Sequence, residues 1–169
     1  MSERVLVAYG TKNNSTAGIA EMIGEALRGE DLSVDVLPAA TVADISPYGP
    51  VILGGSLYAG RWHREAVHFA RRHRKALNER PVWLFSSGPL DASASERDIP
   101  PVSGVRRIAE RLDAHGHATF GGSLDENPRG RFARMMAGSG RAGDFRDPEQ
   151  IRVWAVGIAR ELAREASTQ

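Results

Sequence analysis

Short apolar runs alternate along the chain with segments whose apolar residues recur every three or four positions. Continuous apolar runs predict buried strands at 4–8, 51–54 and 82–86, and an alternating segment predicts an edge strand at 32–37. A last strand, interrupted by Gly121-Gly122, is predicted at 118–124. Helical spacing predicts helices at 15–28, 62–77 and 102–115, with at most a short helix at 41–46. Asp147-Pro148-Glu149-Gln150 is a helix start signal for a final amphipathic helix. Strands that alternate with helices predict a parallel sheet covered on both faces.

Length and composition narrow the class of protein. The 169 residues, 41% of them apolar, fit a single domain over 1–169 with a sizeable core. No apolar run is long enough to span a membrane, and the first strand begins where a signal peptide would stand. The absence of cysteine excludes disulfides, thiolate nucleophiles and cysteine-based metal sites. We therefore expect a cytoplasmic protein, and a peripheral contact with the inner face of the membrane is left open.

The charge is balanced, with 22 basic and 21 acidic residues and a net charge of +1. Almost all the basic residues are arginine, and they form two clusters in sequence: Arg61, Arg64, Arg71, Arg72 and Arg74, then Arg129, Arg131, Arg134 and Arg141. Neither a basic face with interleaved aromatic residues nor a known nucleic-acid-binding module is evident, so no nucleic-acid partner is predicted. The oligomeric state is not indicated.

A polar loop follows the first strand and leads directly into a helix. It holds Thr11, Lys12, Asn13, Asn14, Ser15 and Thr16. Hydroxyl groups, loop amides and the positive end of a helix together form a phosphate-binding arrangement. The loop is neither a Walker A motif nor a G-x-G-x-x-G turn. The alternative interpretation is an ordinary strand–helix turn with a polar helix cap.

Two further loops should meet the first at the carboxyl edge of the sheet. One contains Ser56, Leu57, Tyr58, Ala59, Gly60 and Trp62, and the other contains Ser86, Ser87, Gly88 and Pro89. Small residues let a flat ligand approach the backbone closely, and Tyr58 and Trp62 could face its ring. The alternative for Trp62 is packing at the start of the following helix.

The first loop resembles the FMN-phosphate loop of flavodoxins, with Tyr9, Thr11, Thr16, Ala20 and Ile23 at the matching places. The resemblance implies an α/β fold, a three-layer αβα sandwich whose five-stranded parallel sheet has the order 2-1-3-4-5. It implies FMN as the cofactor, bound at the carboxyl ends of strands one and three. Tyr58 and Trp62 would face the isoalloxazine ring, and the third loop would face its pyrimidine edge.

Residues 51–60, with Phe69 and His73, look like the flavodoxin-like menaquinone-dependent protoporphyrinogen oxidases. So do residues 121–124 and 131–136, followed by Asp147. This resemblance implies an FMN-dependent oxidoreductase in which flavin N5 carries the transfer and no side chain is catalytic. Its small-molecule redox substrate would be of the porphyrinogen or quinone class, with propionates paired to Arg129, Arg131 and Arg134. The segment 125–147 is shorter and richer in glycine than in that family.

Three other functions stay open. A flavodoxin-type electron carrier is one, although the near-neutral charge differs from the acidic surface of such carriers. An NAD(P)H-linked or deazaflavin-linked quinone reductase is another. The third is a domain that has lost flavin and acts through contacts with a redox protein or other partner. A receiver domain is excluded because Tyr9 and Gly10 stand where its acidic pair would be. No metal site is predicted, since His115 and His117 lack a nearby carboxylate in sequence.

Overall fold

The computed structural model describes residues 4–11, 14–88, 99–122 and 146–167, with only the backbone of Asn14. Its strands are β1 (Arg4–Gly10), β2 (Val34–Pro38), β3 (Tyr48–Tyr58), β4 (Arg61–Trp62), β5 (Val82–Ser87) and β6 (Gly116–Phe120). Its helices are α1 (Asn14–Arg28), α2 (Arg64–Arg72), α3 (Arg74–Leu77), α4 (Ser103–Leu112) and α5 (Pro148–Ser167), with a 3₁₀ turn at Ala39–Thr41. None of the helices in these ranges combines the length and the apolar character that crossing a bilayer requires.

The sheet has the order β2-β1-β3-β5-β6, and all four pairings along this path are parallel. Counted by themselves, these five strands have the predicted order 2-1-3-4-5. The sixth strand, β4, pairs antiparallel with the end of β3 and was not predicted. The α/β sandwich expected from the sequence is therefore confirmed, with one short hairpin added to it.

Helices cover both faces of the sheet, because the strands are apolar on both sides. Helices α1 and α5 pack on one face, where the predicted helix residues Ile19, Ile23 and Leu27 are fully buried. Helices α2, α3 and α4 pack on the other face through a second apolar cluster that includes Ala66, Phe69, Leu77, Val105 and Leu112. The helix after β1 and the helix after β3 thus lie on opposite faces.

Strand β3 is longer than predicted. We expected it over 51–54, but it runs from Tyr48 to Tyr58, because β5 pairs with Gly55 and Ser56 and β4 pairs with Leu57 and Tyr58. The two strands are joined by Ala59 and Gly60, whose φ values of 51° and 73° form the left-handed turn that a two-residue hairpin requires. Ser56 and Leu57 therefore belong to the strand rather than to a loop.

The helix predicted over 62–77 is two helices. Trp62 lies in β4, and α2 begins after His63, whose Nδ1 accepts a hydrogen bond of 3.2 Å from the Glu65 amide. His73, with φ −104° and ψ 18°, leaves the helical region and separates α2 from α3.

Other predicted boundaries also move. The helix predicted at 102–115 ends at Leu112, since Asp113 adopts a left-handed φ of 51°. The short helix predicted at 41–46 is replaced by the 3₁₀ turn that ends at Thr41. The strand predicted at 118–124 begins at Gly116 and ends at Phe120.

The start of the final helix is confirmed. The Gln150 amide donates a hydrogen bond of 3.2 Å to Oδ1 of Asp147, which is the cap expected from the sequence. The first residue of α5 is Pro148, and Ile151, Ala155 and Ile158 are buried on its inner face. A local signal was sufficient here because capping involves residues only three apart.

Candidate functional site

The carboxyl ends of β1 and β3 lie side by side, with Gly10 paired in register to Gly55. The chain leaves β1 toward one face of the sheet and leaves the β3–β4 hairpin toward the other. Such a reversal opens a crevice outside the strand ends, where open α/β sheets bind their ligands. A Cβ added at Gly10 would lie 2.8 Å from the Ala66 amide nitrogen, so glycine allows β1 to end against the start of α2.

The predicted phosphate loop leads into the N-terminus of α1. Ser15 and Thr16 are buried in the first turn of this helix, and Thr11 is half-buried before it. Among the described atoms, Oγ1 of Thr16 is completely buried and has no hydrogen-bond partner. The first turn of α1 contains no acidic residue, which leaves the positive end of the helix dipole uncompensated by a side chain. Lys12, Asn13 and the side chain of Asn14 lie outside the described residues.

The structure separates the two aromatic residues of the second predicted loop. Tyr58 ends β3 with 84% of its surface exposed, next to the exposed turn residues Ala59 and Gly60. Trp62 is only 6% exposed, and its Nε1 donates a hydrogen bond of 3.3 Å to the Phe85 carbonyl. A Cβ at Gly55 would lie 2.7 Å from this Nε1, so the indole packs directly on the strand. Trp62 therefore takes the packing position that was the alternative in sequence.

The third predicted loop begins later than expected, since Ser86 and Ser87 are buried in β5. Ser86 Oγ lies 2.9 Å from Nε2 of His117, so its hydroxyl already has a partner. Gly88 follows with φ 125°, and its amide donates a hydrogen bond of 2.9 Å to the Phe120 carbonyl. Pro89 lies outside the described residues. Among the described residues of this loop, the Ser86 hydroxyl and the Gly88 amide therefore already have partners.

Several ionisable side chains lie close to this edge, among them Tyr9 and, beside Gly10, His63 and Glu65. Tyr9 is half-buried near the end of β1, and its pKa is raised, first by burial of the phenol and then by the negative charge of Glu21. The phenol is therefore neutral at physiological pH.

A family model described as the flavodoxin domain matches residues 6–138, which is most of the chain. The chain belongs to the flavodoxin domain family. No curated protein matches it in sequence.

Solved structures agree on the fold of this flavodoxin domain. It superposes on a flavodoxin from the domain Archaea with a TM-score of 0.63 and 12% identity, covering 95% of this chain and 99% of that one. Oxidised Flavodoxin 1 from Bacillus cereus gives a TM-score of 0.58 at 12% identity, covering 93% and 97%.

A larger protein also contains this fold. Rubredoxin oxygen:oxidoreductase from Desulfovibrio gigas gives a TM-score of 0.66 at 15% identity and covers 98% of the flavodoxin domain. The chain spans only 37% of that protein's length. At these identities the likeness shows the fold.

The flavodoxin domain also brings together a cluster that the sequence did not predict. Nδ1 of His115 lies 3.1 Å from Oε2 of Glu161 and 3.7 Å from Oε1 of Glu165. We found no carboxylate near His115 in sequence, because both glutamates come from α5, more than forty residues later. The only local signal was the four-residue spacing of the glutamates. The three groups are partly exposed, and their contacts connect α5 to the residue that precedes β6.

Proposed function

We propose that this flavodoxin domain binds FMN at the carboxyl edge of β1 and β3 and acts as an FMN-dependent oxidoreductase. The observation that carries the proposal is the hydroxyl of Thr16, which is buried without a partner in the first turn of α1. A buried hydroxyl without a partner is costly, so such a group indicates a missing acceptor. A phosphate oxygen is the acceptor that a helix N-terminus favours.

The residues of the first loop fit a phosphate monoester. Thr11, Ser15 and Thr16 contribute three hydroxyl groups beside the first amides of α1, and no acidic side chain in the first turn opposes a dianion. We propose Lys12, Asn13 and Asn14 as additional contacts on the sequence resemblance alone. Hydroxyl and amide donors can hold the phosphate without a full counter-charge, because each donor forms a charge-assisted hydrogen bond.

The ring of the cofactor would lie beside the hairpin turn. Tyr58 is the exposed aromatic residue at this edge, and the exposed Ala59–Gly60 turn leaves the backbone accessible to a flat ligand. Trp62 is not proposed as a ring contact, since its indole is bound inside the core. Gly88, Pro89 and Ser87 are proposed only to border the pyrimidine edge.

Bound FMN would supply hydride or electron transfer at its N5 atom. The chain would supply phosphate anchoring, ring orientation and partial exclusion of water, and we assign no acid or base role to a side chain. For the substrate we propose the porphyrinogen or quinone class, supported by the resemblance of residues 51–60 to protoporphyrinogen oxidases. Arg129, Arg131 and Arg134, the proposed propionate partners, lie outside the described residues.

A flavodoxin-type electron carrier is supported equally well by the family match and by the flavodoxin structures. The two functions differ in their substrates. An oxidoreductase converts a small molecule with a quinone as acceptor, whereas a carrier exchanges electrons only with other redox proteins. The quinone reductase linked to NAD(P)H or deazaflavin is a third candidate of the same enzymatic kind.

The first test is FMN binding. We expect the purified chain, mixed with FMN and passed through a desalting column, to retain stoichiometric flavin with a perturbed visible spectrum. The loaded protein is then assayed without oxygen against protoporphyrinogen, NAD(P)H and reduced deazaflavin, with a water-soluble menaquinone as acceptor. Turnover of one donor supports an enzyme of that class. Retained flavin without any turnover favours the carrier, and a colourless protein rejects both.

A further inference from the structure

A groove with a volume of about 780 Å³ lies on the face of the sheet that carries α2, α3 and α4. Five arginine side chains line it, and they come from four different elements: Arg61 from β4, Arg71 from α2, Arg74 from α3, and Arg107 and Arg111 from α4. Three of these residues belong to the first basic cluster in sequence. The fold adds the other two from α4, so the groove gathers cations that are up to fifty residues apart.

Among the described residues, no acidic side chain lines the groove, and none of the five guanidinium groups forms an ion pair. Arginines elsewhere in the described ranges do find carboxylates, as in the pairs Arg4–Asp35 and Arg28–Glu25. Five like charges around one concave surface repel one another and raise the local positive potential. The groove therefore attracts anions.

The floor of the groove is apolar. Val67 and Ala70 line it from α2, and Ile108 and Leu112 line it from α4. At one end, the first turn of α4 faces the cavity with Ser103 and Gly104, and no side chain caps this helix. A ligand that matches this surface has an apolar body and several negative groups at its periphery. A fully hydrated inorganic ion matches only the arginine rim.

We propose that this groove binds a small amphipathic anion with two or more carboxylate or phosphate groups. Guanidinium groups bind both kinds of anion through paired, parallel hydrogen bonds, and their position around the rim suits groups that are spread over the ligand. Ala59 and Gly60 of the hairpin turn also line the groove, so the ligand would lie next to the proposed FMN site. The proposal concerns a second site and does not depend on flavin binding.

The test is a fluorescence titration of the full chain with pyrene tetracarboxylate at low salt, first without FMN and then with saturating FMN present. Uncharged pyrene methanol tests whether the apolar floor alone is sufficient. Tripolyphosphate as a competitor tests the arginine rim. Vesicles of phosphatidylglycerol, added at the same anion concentration, distinguish a lipid headgroup from a soluble ligand.

The chain offers a matched control. Arg106 and Arg107 are adjacent exposed residues of α4, but only Arg107 lines the groove. We expect Arg107→Gln to weaken binding of the tetracarboxylate about tenfold, because charge-assisted hydrogen bonds are lost. Arg106→Gln should change it less than about twofold, since exposed charges outside the site act weakly through solvent. Unfolding midpoints recorded beside each titration identify any variant that fails to fold.

Four results would overturn the proposal. They are equal binding of pyrene methanol, equal losses in the Arg106 and Arg107 variants, binding that does not weaken with salt, and displacement of the probe by FMN. The last result would place the probe in the cofactor site. Loss of FMN binding with intact tetracarboxylate binding would reject the proposed function and leave the groove unaffected.

Discussion

The ring of Phe85 occupies the space above Gly54 in which any other residue would hold its side chain. A Cβ built at Gly54 would lie 2.0 Å from Cζ of Phe85. The two residues are register partners on β3 and β5, so the contact crosses directly between neighbouring central strands. Phe85 also packs on Phe120 and Trp154, with ring centroids 6.1 and 6.4 Å apart, and so connects the sheet to α5.

Gly54→Ala should therefore destabilise the protein by about 3 kcal/mol, because the added methyl group overpacks a core that has no room for it. Urea unfolding followed by tryptophan fluorescence measures the loss. The double variant Gly54→Ala with Phe85→Leu should lose less than the sum of the two single variants, since the smaller side chain frees the space. Simple additivity would show that the two residues do not compete for the same volume.

Thr16→Val should separate stability from cofactor binding. Removing a buried hydroxyl that has no partner should leave the flavin-free protein unchanged or more stable by about 1 kcal/mol. The same change should weaken FMN binding about tenfold, since one charge-assisted donor is lost. Thermal unfolding and quenching of FMN fluorescence give the two quantities.

Thr119 is the matched control for Thr16, because its hydroxyl is also buried but donates a hydrogen bond of 3.2 Å to the Ile99 carbonyl. Thr119→Val should cost about 1 kcal/mol of stability. Its FMN affinity should stay near that of the parent chain. Identical behaviour of the two valine variants would argue against a ligand role for the Thr16 hydroxyl.

Ala59 has a φ of 51°, in the left-handed region that side chains rarely adopt. Ala59→Gly should raise the free energy of unfolding by about 1 kcal/mol, because glycine enters this region without strain. Ala163→Gly, at an exposed position of α5, should lower the free energy of unfolding by about 1 kcal/mol, because glycine is a poorer helix former than alanine. The denaturant midpoint should therefore rise in Ala59→Gly and fall in Ala163→Gly. A fall in both variants would contradict the conclusion that the turn is strained.

His73 should make the free energy of unfolding depend on pH. Its pKa is lowered, first by burial and then by the charge of Arg72, while a hydrogen bond to the Val42 backbone and the charge of Asp44 act in the opposite sense. The unfolded chain thus binds a proton at a higher pH than the folded chain does. The free energy of unfolding should consequently fall as the pH drops below about 6.5, the ordinary value for histidine, until the folded group also protonates.

Between about pH 7 and about pH 5, the free energy of unfolding should fall less in the His73→Gln variant than in the parent chain. The reason is that glutamine does not bind a proton in this pH range. His68→Gln, on the exposed side of α2, provides the comparison. Urea unfolding at several pH values measures the difference. Parallel pH curves for the parent chain and the His73 variant would assign the acid sensitivity to other groups.

The sequence could not predict which of the two aromatic side chains, Tyr58 or Trp62, is exposed and which is buried. Tyr58 and Trp62 are four residues apart in a segment rich in small residues, and nothing local distinguishes them. The β4 hairpin does so, because it turns Trp62 toward Gly55 and the Phe85 carbonyl while Tyr58 stays exposed. The hairpin itself depends on Ala59 adopting an unfavourable φ, which sequence preference argues against.

The resemblance of the first loop to flavodoxins implied the order of the five parallel strands. The sequence by itself determined the alternation of strands and helices, the Asp147 cap and the polar loop before α1. These last features follow from hydrophobic periodicity and from hydrogen bonds between near neighbours in the chain. Only the tertiary structure decided which aromatic side chain is exposed, which hydroxyl is buried without a partner, and which arginines surround one groove. Those outcomes depend on contacts between segments far apart in sequence, where packing and electrostatics act on residues that no local pattern relates.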